Sequence, residues 1–164
     1  MDYKKLKKPL TRHGFDQLAK EHDELRNNER PKVVKGVQIA AAEGDRSENA
    51  EYIYGKKRLR EIDKRLGYLH GLLTDVQIVD PEIIAATTIT FGATVTIQDE
   101  NGKDNTYTIV GEGETEFTPG SISWKSPMAK ALLGKSVGDF AFVERPAGDM
   151  EFEVLAIRYS DNKC

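Results

Sequence analysis

One run of apolar residues restricts the fold of this chain more than any other feature. Its eight members recur at alternating steps of three and four, and seven of them are apolar: Tyr52, Gly55, Leu59, Ile62, Leu66, Leu69, Leu73 and Val76. This spacing is typical of the seam of a coiled coil. A looser apolar pattern comes before it, at Leu18, Leu25, Val33, Val37 and Ala40 or Ala41. Only a short connection separates the two patterns, so the helices are predicted to fold back on each other as an antiparallel hairpin.

The first predicted helix carries a start signal and an interruption. Thr11 is a candidate N-cap, because its hydroxyl can accept a hydrogen bond from a free backbone N–H. Pro31 has no N–H to give to the helix, so a kink or break is expected near Arg30. With about 30 residues in each arm and a rise of ~1.5 Å per residue, the hairpin would be a rod roughly 45 Å long. Such a narrow rod has little interior, and its length would let the tip reach a place that the rest of the protein cannot enter.

The pattern changes after Pro81. Alternating stretches rich in Thr, Val, Ile and aromatic residues predict strands at 87–97, 106–110, 140–145 and 151–159, with a turn at 99–102. Residues 126–133 predict a short helix, with Ser126 as its N-cap, Pro127 in its first position and Gly134 as its stop. We therefore expect an α+β protein. Residues 1–80 would form the antiparallel coiled-coil hairpin, with an acidic tip near 44–51, and residues 81–164 a small antiparallel β-sheet domain with one short helix.

The charge of the chain is divided in the same place. Residues 1–80 carry 17 Lys and Arg against 14 Asp and Glu, whereas residues 81–164 carry 7 against 13. A basic half followed by an acidic half suggests two modules with different partners.

Composition excludes several classes of protein. Charged residues make up 31% of the chain, and no apolar run approaches the roughly 20 residues of a membrane span, so no membrane partner is expected. The lysines near the N-terminus are not followed by an apolar segment, which argues against a secretory signal. The single cysteine, Cys164, excludes an intramolecular disulfide and fits a reducing cytoplasm.

Four carboxylates crowd around the predicted tip of the hairpin: Glu43, Asp45, Glu48 and Glu51. A structural explanation is that Asp45 caps the second helix and Glu48, three residues later, completes a variant of the capping box. The alternative is a metal site, because carboxylates this close repel one another and a divalent cation relieves the repulsion. Two carboxylates do not complete the octahedral shell of Mg²⁺, so another molecule would have to supply the remaining ligands. The residues alone leave both explanations open.

A group of cations, here called the basic stripe, follows the tip on the second helix: Lys56, Lys57, Arg58, Arg60, Lys64 and Arg65. Lys57, Arg60 and Lys64 fall within about 60° of one another on a helical wheel, opposite the apolar seam. The stripe is either a solvated face with internal pairs such as Glu61–Arg65 or a track for a nucleic-acid backbone. The density of cations slightly favours the track.

Self-sufficient catalytic machinery is absent from the sequence. The three histidines, His13, His22 and His70, have no metal-ligand spacing. There is no Ser/His/Asp set, no glycine-rich phosphate loop and no zinc motif.

Several of these segments resemble the bacterial Gre transcript cleavage factors. The strongest are Gly-Asp-Arg-Ser-Glu-Asn-Ala-Glu-Tyr at 44–52, Lys-Lys-Arg-Leu-Arg-Glu-Ile-Asp at 56–63 and Ser-Pro-Met-Ala-Lys-Ala-Leu-Leu at 126–133. Shorter similarities are Glu-Arg-Pro at 29–31, Phe-Gly-Ala-Thr-Val at 91–95, Ile-Val-Gly at 109–111 and Val-Gly-Asp at 137–139. Arg46 and Ser47, together with the dense basic run, resemble the GreB type more than the GreA type.

The resemblance implies an N-terminal coiled coil and a C-terminal domain of FKBP-like fold. It implies a cytoplasmic, DNA-binding transcription elongation factor, which we expect to be a monomer. Its C-terminal domain would dock on the rim of the secondary channel of RNA polymerase, and its coiled coil would enter the channel. There it would meet the RNA 3′ end that a backtracked polymerase extrudes.

The resemblance also implies a role for the tip. Asp45 and Glu48 match the carboxylates that help to hold a second Mg²⁺ beside the polymerase's own aspartates, for a two-metal phosphodiester cleavage. The protein would then be no enzyme itself, but an activator of the cleavage that polymerase performs.

Docking on polymerase is expected at four positions of the C-terminal module: Ser123, Lys125, Pro127 and Met128. Between Ser123 and Pro127 the family is expected to have an acidic or amide residue, whereas this chain has Trp124 and Lys125. A cation at this place would weaken or reshape the contact.

Two other functions are compatible with parts of the sequence. The first is a non-catalytic binder of the secondary channel that modulates or inhibits transcription, against which the intact Asp45 and Glu48 argue. The second is a chaperone or prolyl isomerase, suggested by the FKBP-like fold alone. A fold does not define a function, and the sequence shows no aromatic-lined substrate pocket.

Overall fold

The computed structural model describes residues 6–44, 48–80 and 87–159. Contacts divide the chain into two compact units, one of residues 16–74 and the other of the residues before 16 together with those from 75 onward. The helical elements are α1 (Arg12–Glu24), a π-helical turn (Leu25–Glu29), α2 (Arg30–Ala42), α3 (Ala50–Leu73), a 3-10 turn (Glu114–Glu116) and α4 (Pro127–Leu132). The strands are β1 (Pro9–Thr11), β2 (Gln77–Val79), β3 (Thr94–Gln98), β4 (Asp104–Val110), β5 (Ser121–Ser123), β6 (Phe140–Val143) and β7 (Met150–Arg158).

The first unit is the predicted helical hairpin, in which α2 packs against α3. Ile62 and Leu69 of the apolar seam are buried, as the periodicity of α3 predicts. Gly55 permits a close approach of the two helices, because a Cβ at this position would lie 2.5 Å from Cγ2 of Val37. With 24 residues, α3 is about 36 Å long and somewhat shorter than the arm expected from the sequence.

The predicted interruption near Arg30 takes the form of a π-helical turn. The backbone N–H of Arg30 donates to the carbonyl of Leu25, five residues earlier, and Pro31 occupies the first turn of α2. A proline is tolerated there, because the N–H groups of a first helical turn have no partner within the helix. The chain therefore continues as a helix through the interruption, with one widened turn.

The second unit contains a curled five-stranded sheet in the order β5-β4-β3-β7-β6. The pairs β3–β4, β3–β7 and β6–β7 are antiparallel as predicted, whereas β5 joins β4 in parallel and makes the sheet mixed. The first predicted strand is shorter than expected. It begins at Thr94 instead of residue 87, because the chain turns at Gly92, whose φ is +89°.

The core of the sheet lies on one side of these strands and is covered by α4. Ser126 caps α4 as predicted, since its hydroxyl accepts a hydrogen bond from the N–H of Ala129 at 3.2 Å. Ala129 and Leu132 of α4 are buried with Val95, Ile109 and Val154 of the sheet. The short helix thereby fixes the predicted docking residues, since Pro127 and Met128 belong to it and Ser123 and Lys125 directly precede it.

A second, two-stranded sheet assigns the N-terminal residues to the same unit. Strand β1 pairs in parallel with β2, with Pro9 opposite Gln77 and Thr11 opposite Val79. The sequence placed residues 1–80 in one module and 81–164 in the other, whereas the contacts group this strand pair with the larger sheet. Thr11 also caps α1 as predicted, because its hydroxyl accepts a hydrogen bond from the N–H of Gly14 at 3.0 Å.

Across the ranges that the structure describes, no helix is both long and apolar enough to span a membrane.

Candidate functional site at the hairpin tip

The tip of the hairpin is built by the end of α2 and the start of α3. Glu43 follows the last residue of α2, and Gly44 then takes a φ of +134°, which disfavours any residue with a Cβ. Asn49 is the N-cap of α3. Its Oδ1 accepts a hydrogen bond from the N–H of Tyr52 at 3.2 Å, and its Nδ2 donates to the carbonyl of Ala40 at 3.0 Å. One amide side chain therefore starts α3 and ties it to the end of α2.

The position of Asn49 corrects the capping interpretation of the acidic tip. In a capping box Glu48 would lie in the first turn of the helix, but α3 begins at Ala50, and Glu48 precedes the cap residue. Glu48 is exposed and makes no hydrogen bond or ion pair with another described residue. Asp45 lies outside the described residues. The start of α3 is thus explained by Asn49 without Glu48.

The sequence prediction missed Asn49 because the neighbouring acids offered a cap of their own. A signal was present: Asn is among the best N-cap residues, and the good helix formers Ala50 and Glu51 follow it directly.

The described carboxylates of the tip have the right chemistry for Mg²⁺ but are too few. Glu43, Glu48 and Glu51 are exposed and offer the oxygen ligands that Mg²⁺ prefers. Within residues 6–44, 48–80 and 87–159, however, no three His, Cys, Asp or Glu side chains gather as a metal-binding group. A magnesium ion at the tip would need ligands from outside this set.

The basic stripe divides into free and paired cations. Four of its members are exposed and form no ion pair with any residue that the structure describes: Lys56, Lys57, Arg60 and Lys64. The other two hold the hairpin together. Arg58 pairs with Glu29 and, at 3.3 Å, with Glu61.

Arg65 binds Glu21 with two hydrogen bonds of 2.9 Å each, and its guanidinium lies 5.3 Å from the ring of Tyr68. This forked contact joins the two arms of the hairpin.

The predicted docking residues lie where β5 runs into α4. Lys125 and Pro127 are exposed, whereas Ser123 and Met128 are half-buried. Lys125 pairs with Glu112 at 3.3 Å, and its ammonium lies 5.8 Å from the ring of Trp124. The cation that departs from the expected family pattern is therefore partly neutralised by its own neighbours.

Trp124 has a structural role at this place. Its backbone N–H donates to the carbonyl of Val110 at 2.8 Å, and its ring packs against both apolar clusters of the sheet unit. The packing of the ring explains why position 124 holds an aromatic residue, without any contribution to docking.

Two features together define the class of this protein. A helical hairpin presents the exposed carboxylate of Glu48 at its tip with exposed cations behind it, and the sheet unit presents residues 123–128 at the start of a short helix. Two family models cover most of the chain: transcription elongation factor, N-terminal, matches residues 8–78, and transcription elongation factor, GreA/GreB, C-term, matches residues 84–159. The chain belongs to the GreA/GreB family of transcription elongation factors.

Individual relatives agree with this assignment. Transcription elongation factor GreA of Helicobacter pylori strain Shi470 is 39% identical over 156 residues, which are 94% of this chain and 95% of the relative. GreA of Alkalilimnicola ehrlichii is also 39% identical over 156 residues, with 94% and 99% covered. These comparisons do not separate the GreA from the GreB type, so the GreB type stays a prediction.

Among solved structures, the GreA factor homolog 1 (Gfh1) protein of Thermus thermophilus is 28% identical. The match covers 92% of this chain and 97% of that chain, with a TM-score of 0.43.

Proposed function

We propose that this elongation factor enters the secondary channel of RNA polymerase and stimulates the cleavage of backtracked RNA by the polymerase. The 3′ fragment would be released, and elongation would resume from the new end. The observation that carries the proposal is the exposed carboxylate of Glu48, which pairs with no residue in the described ranges and precedes a helix already capped by Asn49.

Glu48 and Asp45 would each contribute carboxylate oxygens to a second Mg²⁺ in the active centre of the polymerase. This ion, when bound, would activate a water molecule and stabilise the leaving oxygen of the phosphodiester. The polymerase and the RNA would complete its ligand shell, since the described part of the chain gathers no metal-binding group. On this view the chain acts as an activator of the cleavage that the polymerase itself performs.

The free cations of the basic stripe would guide the extruded RNA toward the tip. Lys57, Arg60 and Lys64 lie on the exposed face of α3, and point charges along a groove suffice to hold a nucleic-acid backbone. Arg58 and Arg65 would act mainly by holding the hairpin rigid, because their guanidinium groups are engaged by Glu29 and Glu21.

The direct test is RNA release from stalled, backtracked polymerase complexes. Asp45→Asn and Glu48→Gln should each lower the stimulated cleavage rate by about 100-fold or more, in the range seen when a catalytic charge-stabilising group is removed. Both variants should bind polymerase with nearly the affinity of the wild type.

Asn49→Ala is the matched control. It should cost about 1 kcal/mol of stability through the lost cap but retain most of the cleavage. Equal losses of cleavage rate in all three variants would show that the tip acts through its fold and would refute a role in metal binding. Binding without RNA release by the wild-type protein would instead establish the non-catalytic channel binder.

A further inference from the structure

Strand β6 presents an apolar face to solvent at the free edge of the sheet. Its residues alternate, with Ala141 and Val143 buried in the core while Phe140 is 49% and Phe142 is 66% exposed. In the strand order β6 is terminal, and none of the described strands pairs with its outer side. Two exposed phenylalanines on an unpaired edge are a feature that soluble proteins usually avoid.

Carboxylates surround this face. Phe140 lies opposite Glu153 and Phe142 opposite Glu151 in the β6–β7 register. A shallow cleft beside Phe140 is lined by Gln98 and four acids: Asp99, Glu100, Glu151 and Glu153. These four carboxylates form no ion pair with another residue in the described ranges. The surface is therefore apolar at its centre and negative around it.

The charges select the kind of partner that fits. A nucleic-acid backbone is repelled by the carboxylates, and a second copy of the same face would bring like charges together. A polypeptide with lysine or arginine next to an apolar residue is complementary, because long cationic side chains pack their stems on aromatic rings and keep their charge among acids. The unpaired edge of β6 offers main-chain hydrogen bonds to such a segment in extended conformation.

We propose that the Phe140/Phe142 face is a second contact with RNA polymerase, in addition to the docking residues at 123–128, and that it takes an extended basic segment of the polymerase as an added strand. The contact rests on the proposed function, since polymerase is the partner assigned there. Helix α4, which includes Pro127 and Met128 of the first contact, packs against β6 within the same compact unit. One rigid body would then carry both contacts.

The test compares the wild-type full chain with variants of it in their affinity for polymerase core enzyme. Binding is measured by fluorescence anisotropy with a dye on Cys164. The double variant Phe140→Thr/Phe142→Thr should bind about tenfold or more weakly, because it removes the apolar centre of the contact. Threonine keeps the strand propensity, and both positions are exposed, so the fold should be retained. The matched control Phe140→Leu/Phe142→Leu keeps an apolar face and should bind within about threefold of the wild type.

Charge reversal tests the complementarity separately. Glu151→Lys/Glu153→Lys should weaken binding at low ionic strength, and its difference from the wild type should shrink as salt is added. If the wild type binds polymerase and the threonine variant binds equally well, the second contact is refuted while the proposed function stands. A loss of self-association in the threonine variant with unchanged polymerase affinity would refute it in favour of a second copy. Absence of wild-type binding would overturn both proposals.

Discussion

At the scale of single residues, Glu114 joins the start of the chain to the sheet. Its side chain is buried, with 1% exposed, and it accepts hydrogen bonds from the N–H and hydroxyl of Thr11 and from the N–H of Gly111. Gly14 leaves room for this carboxylate, since a Cβ there would overlap it. Burial raises the pKa of Glu114, and the hydrogen bonds from Thr11 and Gly111 and the charge of His13 oppose the rise.

The raised pKa of Glu114 predicts a pH dependence of stability. Because the folded state holds the proton more tightly than the unfolded state, its contribution is fully present below the ordinary glutamate pKa of about 4.3 and is lost as pH rises through the folded value. Glu114→Gln removes this titration and keeps an acceptor oxygen. Thermal denaturation of both proteins across this interval should show the wild type losing stability relative to the variant as pH rises. A wild type that gains stability relative to the variant as pH rises would contradict the raised pKa of Glu114.

At the scale of elements, α3 has two faces with separate tasks. Its buried residues, such as Ile62 and Leu69, hold the hairpin, and its exposed cations form the basic stripe. The sequence predicted this division from the period of the pattern alone, since burial and charge follow the same helical repeat. The caps at Thr11 and Ser126 were equally predictable, because each depends on a local hydrogen bond.

Features that depend on contacts between distant parts of the chain could not be predicted from the sequence. The parallel pairings β1–β2 and β4–β5 join segments whose partners no local pattern specifies. Glu114 lies in a run of glycines and acids that resembles a solvated loop, and only the fold brings Thr11 to it. The mixed sheet, the unit boundaries and the buried carboxylate are therefore findings of the structure.

The basic stripe predicts a defect that depends on RNA length. Lys57→Glu/Arg60→Glu/Lys64→Glu should slow cleavage most on complexes with long extruded RNA, because a backtrack of about two or three nucleotides need not reach the stripe. The advantage of the wild type should also fall as salt rises. Lys32→Glu/Lys35→Glu, exposed on α2, is the matched control and should leave cleavage nearly unchanged. A defect equal at every RNA length and salt concentration would indicate misfolding instead.

At the scale of the whole molecule, a single cut of the chain does not separate the two compact units, because one unit contains residues from both ends of the sequence. The N-terminal strand β1 belongs with the sheet unit, where Leu6 and Val79 pack with Phe91 and the β1–β2 pair forms. The hairpin of residues 16–74 is thus inserted between two parts of the other unit. Domain insertion of this kind leaves the host unit able to fold when the insert is replaced.

This organisation predicts which fragments are stable. A chain in which a Gly/Ser linker of about ten residues replaces residues 16–74 should fold cooperatively and compete with the full chain for polymerase without stimulating cleavage. A fragment of residues 82–164 lacks β1, β2 and the Thr11 contacts of Glu114. Its melting temperature should be at least about 4 °C lower than that of the linker-bearing chain, as a loss of 1 kcal/mol or more implies for a domain of this size. Equal melting temperatures in circular dichroism would show that the N-terminal strand contributes nothing to this unit.

The central claim is that the tip carboxylates hold a magnesium ion in the active centre of the polymerase, and the dependence of cleavage on Mg²⁺ concentration tests it most directly. Cleavage rates of backtracked complexes would be measured at saturating factor, with the wild type and with Glu48→Gln, over a titration of Mg²⁺. Loss of one carboxylate ligand should raise the Mg²⁺ concentration for half-maximal cleavage by about 10-fold or more, as removal of metal-supporting groups does elsewhere, and high Mg²⁺ should restore part of the rate. A variant with a lower plateau but the same half-maximal Mg²⁺ concentration as the wild type would contradict the claim.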